Sequence, residues 1–415
     1  MTLPILRPFP ALRPAAGRAQ DVAAPPYDVM NSEEARRMAA GRPLSFLHVS
    51  KPEIDLPPET DVYSPAVYEK ASENFGKMIA DGVLVRDPAP MYYVYRAAIG
   101  DYVQTGLVGA ASIDAYDTGR IKKHELTRPA KEDDRVRQIE AVAAHTGPIM
   151  TAHRPDSEIR DILAEATKGE PVSRAEVDGA EHTIWAIDES GTLDALTSAF
   201  ERLGAIYVAD GHHRSNAAVR VAKARRQAGA APRGDEWSES FLTVVFPADE
   251  MRILDYNRIV SDLNGLSEAE FLDRIKADFT VQPVTGAAEA KPARRGDFGL
   301  YVGGKWYCLT PLAKEDGLDA VAGLDISLLT RSVLEPVLGI GDPRLDPRID
   351  FVGGVRGLAE LERRVDSGEM AAAFAVYATS MGDLMAVSDA GQVMPPKSTW
   401  FEPKLADGLL SLMLD

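Results

Sequence analysis

The sequence predicts a mixed α/β protein with more than one compact unit. Its 415 residues exceed what one hydrophobic core of usual size supports. Segments with helical periodicity alternate with short apolar runs that are typical of strands. Apolar residues make up 45% and charged residues 26% of the chain, which is the ordinary range of globular domains. Because the composition changes near residue 260, we expect an α/β region at 1–260 and a second, α+β region at 261–415.

The first region begins with a proline-rich stretch, and helices and strands are predicted after it. Asn31 or Ser32 opens a short helix, with Glu34 placed for a capping box. Strand-like runs at 92–99 and 102–112 flank Gly100-Asp101, which is a hairpin turn signal. Further helices are predicted at 66–81, 131–144, 157–167 and 191–203, and further strands at 182–187 and 241–246.

The clearest local unit of the chain lies at 205–226. Residues 205–209 form a short apolar run, 210–213 carry turn residues, and 215–226 have helical periodicity. The pattern predicts a strand, a tight turn and a helix, with residues 212–214 at the helix N-terminus.

The second region is predicted to mix both element types. Residues 283–296 are rich in Ala, Pro, Gly, Lys and Arg, which indicates an exposed connection. Helices are predicted at 266–278, 324–337 and 355–366, a hairpin at 298–302 and 305–309, and a pair of strands near 372–377 and 383–388.

The charge and composition of the chain limit the kinds of molecule that it is expected to bind. The chain carries 46 basic and 63 acidic side chains, a formal net charge of -17, which argues against binding to nucleic acid or to membranes. No run of about 20 apolar residues exists to span a bilayer, and the N-terminus lacks the apolar core of a signal peptide. The only cysteine, Cys308, cannot form an intrachain disulfide, which suits a reducing compartment. We therefore expect a soluble cytoplasmic protein.

The turn within 205–226 is the strongest candidate for chemistry. A helix N-terminus offers unpaired N–H groups and the positive end of a dipole, so phosphate binds there readily. Gly211 permits a close backbone approach, and Arg214 adds a bidentate donor. His212 and His213 can donate hydrogen bonds or handle protons, and Asp210 can take a proton or hold Mg²⁺. Helix capping alone would explain Asp210 and Gly211 but not the other three residues.

A charged segment between the predicted hairpin and the helix at 131–144 is the second candidate. Lys122, Lys123 and Arg128 surround Glu125, with a histidine in the same run. This pattern suits an anionic substrate, with Glu125 as a base or as a metal ligand. An ordinary solvated turn with no chemical role would show the same pattern.

Two further stretches contain a rigid Pro-Pro pair. The pair at residues 25–26 stiffens a segment that holds Tyr27 and Asp28. The second, at 395–396, is followed by Lys397 and two hydroxyl residues that can meet a phosphate. For both stretches, a structural role explains the sequence about as well as a functional role does.

Standard catalytic motifs are missing from the chain. It contains neither the P-loop pattern G-x-x-x-x-G-K-[ST] nor the nucleophile elbow G-x-S-x-G. The paired histidines lack the i, i+4 spacing of a zinc protease helix, and no CxxC exists, so the sequence predicts no structural zinc site.

Five separated motifs together resemble a widespread bacterial family that was long known only as a conserved domain of unknown function. They are VAAPPYDV at 22–29, SFLHVSKPEIDLP at 45–57, KKHELTRPAKEDDR at 122–135, VADGHHRSNAA at 208–218 and MPPKSTWFEPK at 394–404. The DGHHR element also resembles the phosphate-binding box of the ParB/sulfiredoxin superfamily. That superfamily includes kinases that phosphorylate free L-serine with a similar Asp-Gly-His-x-Arg turn. The resemblance implies a ParB/sulfiredoxin-like core.

The resemblance also implies a reaction. It is the transfer of the terminal phosphoryl group of ATP, or of ADP, to the hydroxyl of free L-serine, with Mg²⁺ on the phosphates. The implied catalytic residues are Glu125 as base, Asp210 beside the metal ion or the serine hydroxyl, and His212 on a phosphate oxygen. Asp210 is also the implied metal ligand. The implied binding residues for nucleotide and substrate are Gly211, His213, Arg214, Lys122, Lys123, Arg128 and Lys397.

Two other functions stay open on the sequence. One is a ParB-like nucleotide hydrolase or switch, and the other is a non-enzymatic regulator that binds a metabolite at the same anion site. Phosphoserine formation would indicate the kinase. Phosphate release that does not depend on serine would indicate the hydrolase, and ligand binding without turnover would indicate the regulator. The residues decide neither between ATP and ADP nor which hydroxyl compound is the acceptor.

Overall fold

The computed structural model describes residues 3–229, 237–313 and 317–415 and confirms the mixed α/β class. The chain divides into two compact units, Met1–Met251 with Pro403–Asp415, and Arg252–Glu402. The domain boundary at 260/261 stays a prediction. Among the described residues, no helix is long and apolar enough to cross a membrane.

A nine-stranded mixed sheet forms the centre of the first unit. Its order is β6-β11-β8-β12-β5-β4-β10-β9, with β1 also paired to β5. Strand β6 runs parallel to β11, and β8 runs parallel to β12, whereas the other neighbours are antiparallel. The strands of this sheet are β1 (Leu6–Arg7), β4 (Tyr92–Ile99), β5 (Tyr102–Ser112), β6 (Ile121–Lys122), β8 (Ile149–His153), β9 (Ser173–Val177), β10 (Ala180–Ile187), β11 (Ile206–Asp210) and β12 (Ser240–Pro247). Outside it lie β2 (Leu12–Pro14), β3 (Leu84–Arg86) and β7 (Ala144–His145).

Helices pack on this sheet and bury its apolar side chains. Leu107, Val208 and Phe241 from the strands share one buried cluster with Phe200 and Val219 from the helices. The helices are α1 (Ala19–Val22), α2 (Ser32–Ala39), α3 (Leu47–Ser50), α4 (Pro65–Ala80), α5 (Ile113–Asp117), α6 (Pro129–Val142), α7 (Ser157–Ala166), α8 (Ser190–Leu203) and α9 (His212–Gln227).

In the first unit, the structure contains the elements that were predicted from short-range sequence signals. The hairpin of β4 and β5 has the predicted bounds. The capping box of α2 forms between Asn31 and Glu34. The strand–turn–helix unit is present as β11 and α9, although only Gly211 separates them, so the turn is shorter than predicted.

The second unit is built on a six-stranded antiparallel sheet with the order β15-β17-β16-β19-β14-β18. Its strands are β13 (Ile253–Leu254), β14 (Tyr256–Val260), β15 (Phe279–Val284), β16 (Phe298–Val302), β17 (Lys305–Pro311), β18 (Ile349–Gly353), β19 (Ala372–Val376) and β20 (Trp400–Phe401). Its helices are α10 (Glu268–Ile275), α11 (Ala287–Ala290), α12 (Asp325–Leu329), α13 (Ala359–Asp366) and α14 (Met381–Asp389). After Pro403 the chain returns to the first unit, where β21 (Leu412–Met413) pairs with β7.

Two element predictions in the second unit are wrong. The strand predicted at 383–388 is part of α14, because Ser380 and Asp383 form a capping box that starts a helix there. The connection predicted at 283–296 contains the end of β15 and all of α11. Pro283 is tolerated in β15 because that strand lies at the edge of the sheet.

Candidate active site

Two neighbouring parallel strands bring the two strongest motifs to one edge of the large sheet. Ile121 of β6 pairs with Ile206 of β11, and Lys122 pairs with Tyr207. The segment after β6 and the turn after β11 therefore leave the sheet in the same direction. The carboxyl ends of parallel strands are the usual place for ligand sites in α/β sheets. This pairing explains why two motifs far apart in the sequence meet.

Gly211 makes the transition from β11 to α9 in a single residue. Its φ of 98° lies in the left-handed region, which favours glycine. A Cβ at this position would lie 3.4 Å from Nε of Arg214 and from a side-chain carbon of Ile149. Within the described part of the chain, no side chain caps α9. Its first N–H groups are therefore available to an anion.

His124, Glu125 and His212 form a cluster beside this turn. The two histidines are 1% and 4% exposed, and their rings are perpendicular with centroids 4.5 Å apart. Oε2 of Glu125 lies 3.8 Å from Nδ1 of His212, and the Glu125 side chain is 44% exposed. The cluster thus combines two buried imidazoles with a carboxylate that solvent reaches.

Burial keeps the histidines of the site neutral. It lowers the pKa of His124 to about 4, although the charge of Asp210 opposes the shift. Burial, with a smaller contribution from the neighbouring His124, lowers the pKa of His212 well below its usual value. The pKa of His213 is also lowered by burial. A neutral imidazole offers one N–H donor and one lone pair, so each ring can donate to an anion or bind a metal ion.

Asp210 at the end of β11 is ion-paired. Nζ of Lys404 donates to Oδ2 of Asp210 over 2.8 Å. Burial opposes ionisation of this carboxyl, but Lys404 and Arg214 outweigh it and hold the pKa of Asp210 well below its usual range. Sequence reasoning missed Lys404, although it is the last residue of the MPPKSTWFEPK motif.

Arg214 is partly buried and lines a small cavity. One of its terminal nitrogens donates to the carbonyl of Pro148 over 2.6 Å, and its buried Nε has no partner among the described residues. The cavity has a volume of about 30 Å³, and Tyr27, Arg135 and Asp407 also line it. Such a space holds a water molecule or a few atoms of a ligand.

Three acidic side chains stabilise the charge of this partly buried arginine. Burial disfavours the guanidinium, but Asp28, Asp407 and Asp210 outweigh it and raise the pKa of Arg214. Burial also raises the pKa of Asp407 to about 7, with Arg214 acting in the opposite direction. The VAAPPYDV segment therefore contributes to the surroundings of Arg214, a relation that its sequence left open.

The predicted cations of the 121–128 segment hold defined positions. Nζ of Lys123 lies 4.5 Å from the ring centre of Tyr116, and Nζ of Lys122 lies 5.8 Å from that of Tyr207. The backbone N–H of Arg128 donates to Nε2 of His213 over 3.1 Å. The segment is therefore attached to the first turn of α9.

Asn216 fixes the same segment from the helix side. Its Nδ2 donates to the hydroxyl of Thr127 over 2.7 Å, and its Oδ1 accepts from the hydroxyl of Tyr116 over 2.6 Å. Sequence reasoning missed Asn216, although it lies two residues after the DGHHR turn. It positions the loop that carries Glu125.

Lys397 belongs to the second unit, and its predicted part in nucleotide binding stays a prediction. Its Nζ lies 5.6 Å from the ring centre of Tyr256 in the same unit. A larger cavity of about 150 Å³ lies in the first unit beside His153, Arg96 and Arg160. None of the predicted site residues lines that cavity.

The solved structures that match this chain share little sequence with it and have low TM-scores. A free serine kinase in complex with AMP is 14% identical, with a TM-score of 0.35 over 71% of this chain and 86% of that one. A conserved hypothetical protein from Pyrococcus furiosus is 14% identical, with a TM-score of 0.33 over 75% and 96%. C-terminally truncated SbnI from Staphylococcus aureus is 10% identical, with a TM-score of 0.36 over 72% and 85%. Likeness at this level carries no argument about chemistry.

A search of the curated proteins found no match. A family model described as "Protein of unknown function (DUF1015)" matches residues 6–327. The matched range is more than half of the chain and contains both motifs at the edge of the large sheet. The chain therefore belongs to the DUF1015 family.

Proposed function

We propose that this protein is a small-molecule kinase that phosphorylates the hydroxyl of free L-serine with the terminal phosphoryl group of a nucleotide. The observation that carries the proposal is the position of Glu125 beside His212 at the uncapped N-terminus of α9. Phosphoryl transfer needs positioning, charge neutralisation and a base, and these groups supply all three. Serine as acceptor and ATP or ADP as donor rest on the resemblance of the DGHHR turn to that of the free serine kinases.

The phosphate-binding part of the proposal uses the first turn of α9. The chain has no P-loop lysine, so backbone N–H groups after Gly211 and nearby cations must neutralise the phosphates. Lys123 is near enough to His212 to lower its pKa, and Lys404 lies on Asp210. Arg214 adds a partly buried positive charge behind the turn. Neutral His212 and His213 each donate one hydrogen bond to a phosphate oxygen.

Glu125 is the proposed base. Its carboxylate is partly exposed, so a small hydroxyl compound can reach it. In the proposed step, the hydroxyl oxygen of serine forms a bond to the terminal phosphorus, and the bond from that phosphorus to the leaving nucleotide breaks. Glu125 accepts the hydroxyl proton. Asp210, held ionised by Lys404, orients the acceptor or shares a metal ion.

Magnesium would arrive with the nucleotide and neutralise charge on its phosphates. Mg²⁺ is usually bound by one or two protein carboxylates together with substrate phosphates. Asp210 is the proposed carboxylate, but Lys404 already pairs with one of its oxygens. The residues present therefore fit magnesium only when the nucleotide supplies the remaining ligands.

A product assay tests the proposal. Purified protein is incubated with ATP or ADP, Mg²⁺ and a panel of hydroxy amino acids, and the products are identified by mass spectrometry. Phosphoserine is the expected product. Phosphate release that does not depend on serine would favour a hydrolase, and nucleotide binding without turnover would favour a regulator. Either result would overturn the kinase.

A further inference from the structure

The cluster beside the DGHHR turn has the geometry of a metal site. One ligand atom from each of His124, Glu125 and His212 lies within 4.8 Å of the other two. Ligands about 2.0–2.2 Å from a common ion lie roughly 3–4 Å from one another. The 3.8 Å between Glu125 and His212 already falls in this range.

The buried histidines also carry nitrogen atoms that the described protein leaves unused. The ring of His124 interacts with the backbone of Val208, but neither of its nitrogens makes a hydrogen bond of normal geometry to a described residue, and Nε2 of His212 makes none. Both side chains are more than nine-tenths buried. A buried polar atom without a partner costs about 1–3 kcal/mol. An ion that takes a lone pair from His124 offsets part of that cost, and because the nitrogen of His212 that faces Glu125 is Nδ1, Nε2 of His212 is left to donate to a bound anion.

The donor set selects the class of ion. Two imidazoles and one carboxylate suit Zn²⁺, Co²⁺, Mn²⁺ and Fe²⁺, whereas Mg²⁺ and Ca²⁺ prefer oxygen ligands. Three protein ligands leave a coordination position for water or substrate, as catalytic sites do and structural sites do not. Residue spacing within single segments argues only against a structural zinc site. Here the ligands come from two segments that the pairing of β6 with β11 brings together.

We infer that His124, Glu125 and His212 bind one divalent transition-metal ion, with a coordination position left for water or a phosphate oxygen. This site is separate from the magnesium proposed at Asp210. It does not rest on the proposed function, because it needs only these three side chains. With the ion bound, Glu125 serves as a ligand, so the ion and a substrate proton compete for the same carboxylate.

Metal binding to the protein without nucleotide tests the inference. The full chain is stripped of metal with a chelator and titrated with Co²⁺, followed by visible absorption, and with Zn²⁺, followed by calorimetry. One ion per chain is expected. His124→Gln and His212→Gln should each weaken binding by at least ~100-fold, because loss of an outer partner alone costs about 10–100-fold. Glu125→Gln should also weaken it.

A second histidine beside a carboxylate provides the control. Nδ1 of His48 lies 2.9 Å from Oδ1 of Asp55, outside the cluster, so His48→Gln should bind Co²⁺ like the wild type. Melting temperatures show whether the variants of buried histidines fold. Glu125→Gln, at a partly exposed side chain, should weaken binding at an unchanged melting temperature.

Two outcomes would overturn the metal site. One is a wild-type protein that binds no Co²⁺ or Zn²⁺. The other is a folded Glu125→Gln variant that binds Co²⁺ as tightly as the wild type does. Metal binding in the titration would support the metal site even if the product assay found no phosphoserine. Phosphoserine formation would support the kinase even if the titration found no metal binding. The two proposals therefore fail separately.

Discussion

Glu125 and Asp210 are both carboxylates of the candidate site, but their surroundings give them different properties. Asp210 is ionised and forms an ion pair with Lys404, so it acts as a fixed negative charge. Glu125 is partly exposed and lies beside His212, which burial keeps neutral. Of the two, Glu125 is the carboxylate that a small substrate can reach from solvent.

Glu125→Gln should separate catalysis from folding. The substitution keeps the shape of the side chain and removes the base, so serine phosphorylation should fall by about 10²–10⁴. Nucleotide affinity and melting temperature should stay as in the wild type. Glu140→Gln, at an exposed position of α6, is the matched control and should keep full activity. Full phosphorylation by Glu125→Gln would rule out the base assignment.

Lys404→Gln should destabilise the protein by leaving the Asp210 charge without its partner. When one member of a mostly buried ion pair is removed, the other keeps its desolvation cost without a compensating partner. We therefore expect the free energy of unfolding to fall by about 2 kcal/mol at pH 7. Because the pair lowers the folded-state pKa of Asp210, its contribution is present above the unfolded pKa of 3.8 and disappears as the pH falls.

Urea denaturation at several pH values checks this prediction. The difference between wild type and Lys404→Gln should be large at pH 7 and shrink on acidification. Lys168→Gln removes an exposed pair with Glu165 and should change stability by less than about 1 kcal/mol. An equal effect of both substitutions at pH 7 would mean that the Lys404 pair is no more than a surface contact.

At the scale of elements, short-range signals made the sequence informative. The hairpin turn at 100–101, the capping box of α2 and the glycine before α9 are all encoded within a few residues, and these elements were predicted. The helix α14 was read as a strand because its apolar run fits either period and its Ser380 cap was overlooked. Pairing of β6 with β11 depends on contacts between distant residues, so periodicity could not predict it.

Gly211→Ala should damage the turn between β11 and α9. Alanine in the left-handed region costs about 1–2 kcal/mol, and its Cβ would come into contact with Arg214 and Ile149. Gly204→Ala is a close control, because Gly204 ends α8 with a φ of 75° and has open space around it. Both variants should melt at lower temperature. Steady-state assays should show a loss of phosphoryl transfer in Gly211→Ala alone.

At the scale of the whole molecule, the last residues of the chain complete the first unit. Pro403–Asp415 supplies Lys404 to Asp210 and Asp407 to the cavity behind Arg214. Sequence reasoning assigned these residues to a C-terminal region, because no local pattern shows that the chain returns to an earlier core. The DGHHR turn was found because its chemistry is compressed into five residues, whereas His124, Lys404 and Asp407 matter through distant contacts.

Buried histidines should make the protein acid-sensitive. Burial lowers the pKa of His124, His145 and His182 to about 4 in the folded state, whereas an unfolded histidine titrates near 6.5. Between these values the unfolded chain binds more protons, so the free energy of unfolding falls as the pH drops from about 6.5 to 4. Asp407 acts in the opposite direction, because its raised pKa of about 7 makes stability fall as the pH rises from 3.8.

The histidines should dominate this balance, because burial lowers the pKa of six of them and raises the pKa of only three carboxyls among the described residues, Asp407, Asp325 and Asp178. Melting temperatures measured from pH 4.5 to 7 should therefore rise with pH. Asp407→Asn removes an opposing carboxyl and should make the melting temperature rise more steeply with pH. His48→Gln should leave the stability contributed by the three buried histidines in place, because His48 pairs with Asp55 and its pKa is raised. A melting temperature that is constant or increases on acidification would show that these histidines are charged, or reached by water, in the folded protein.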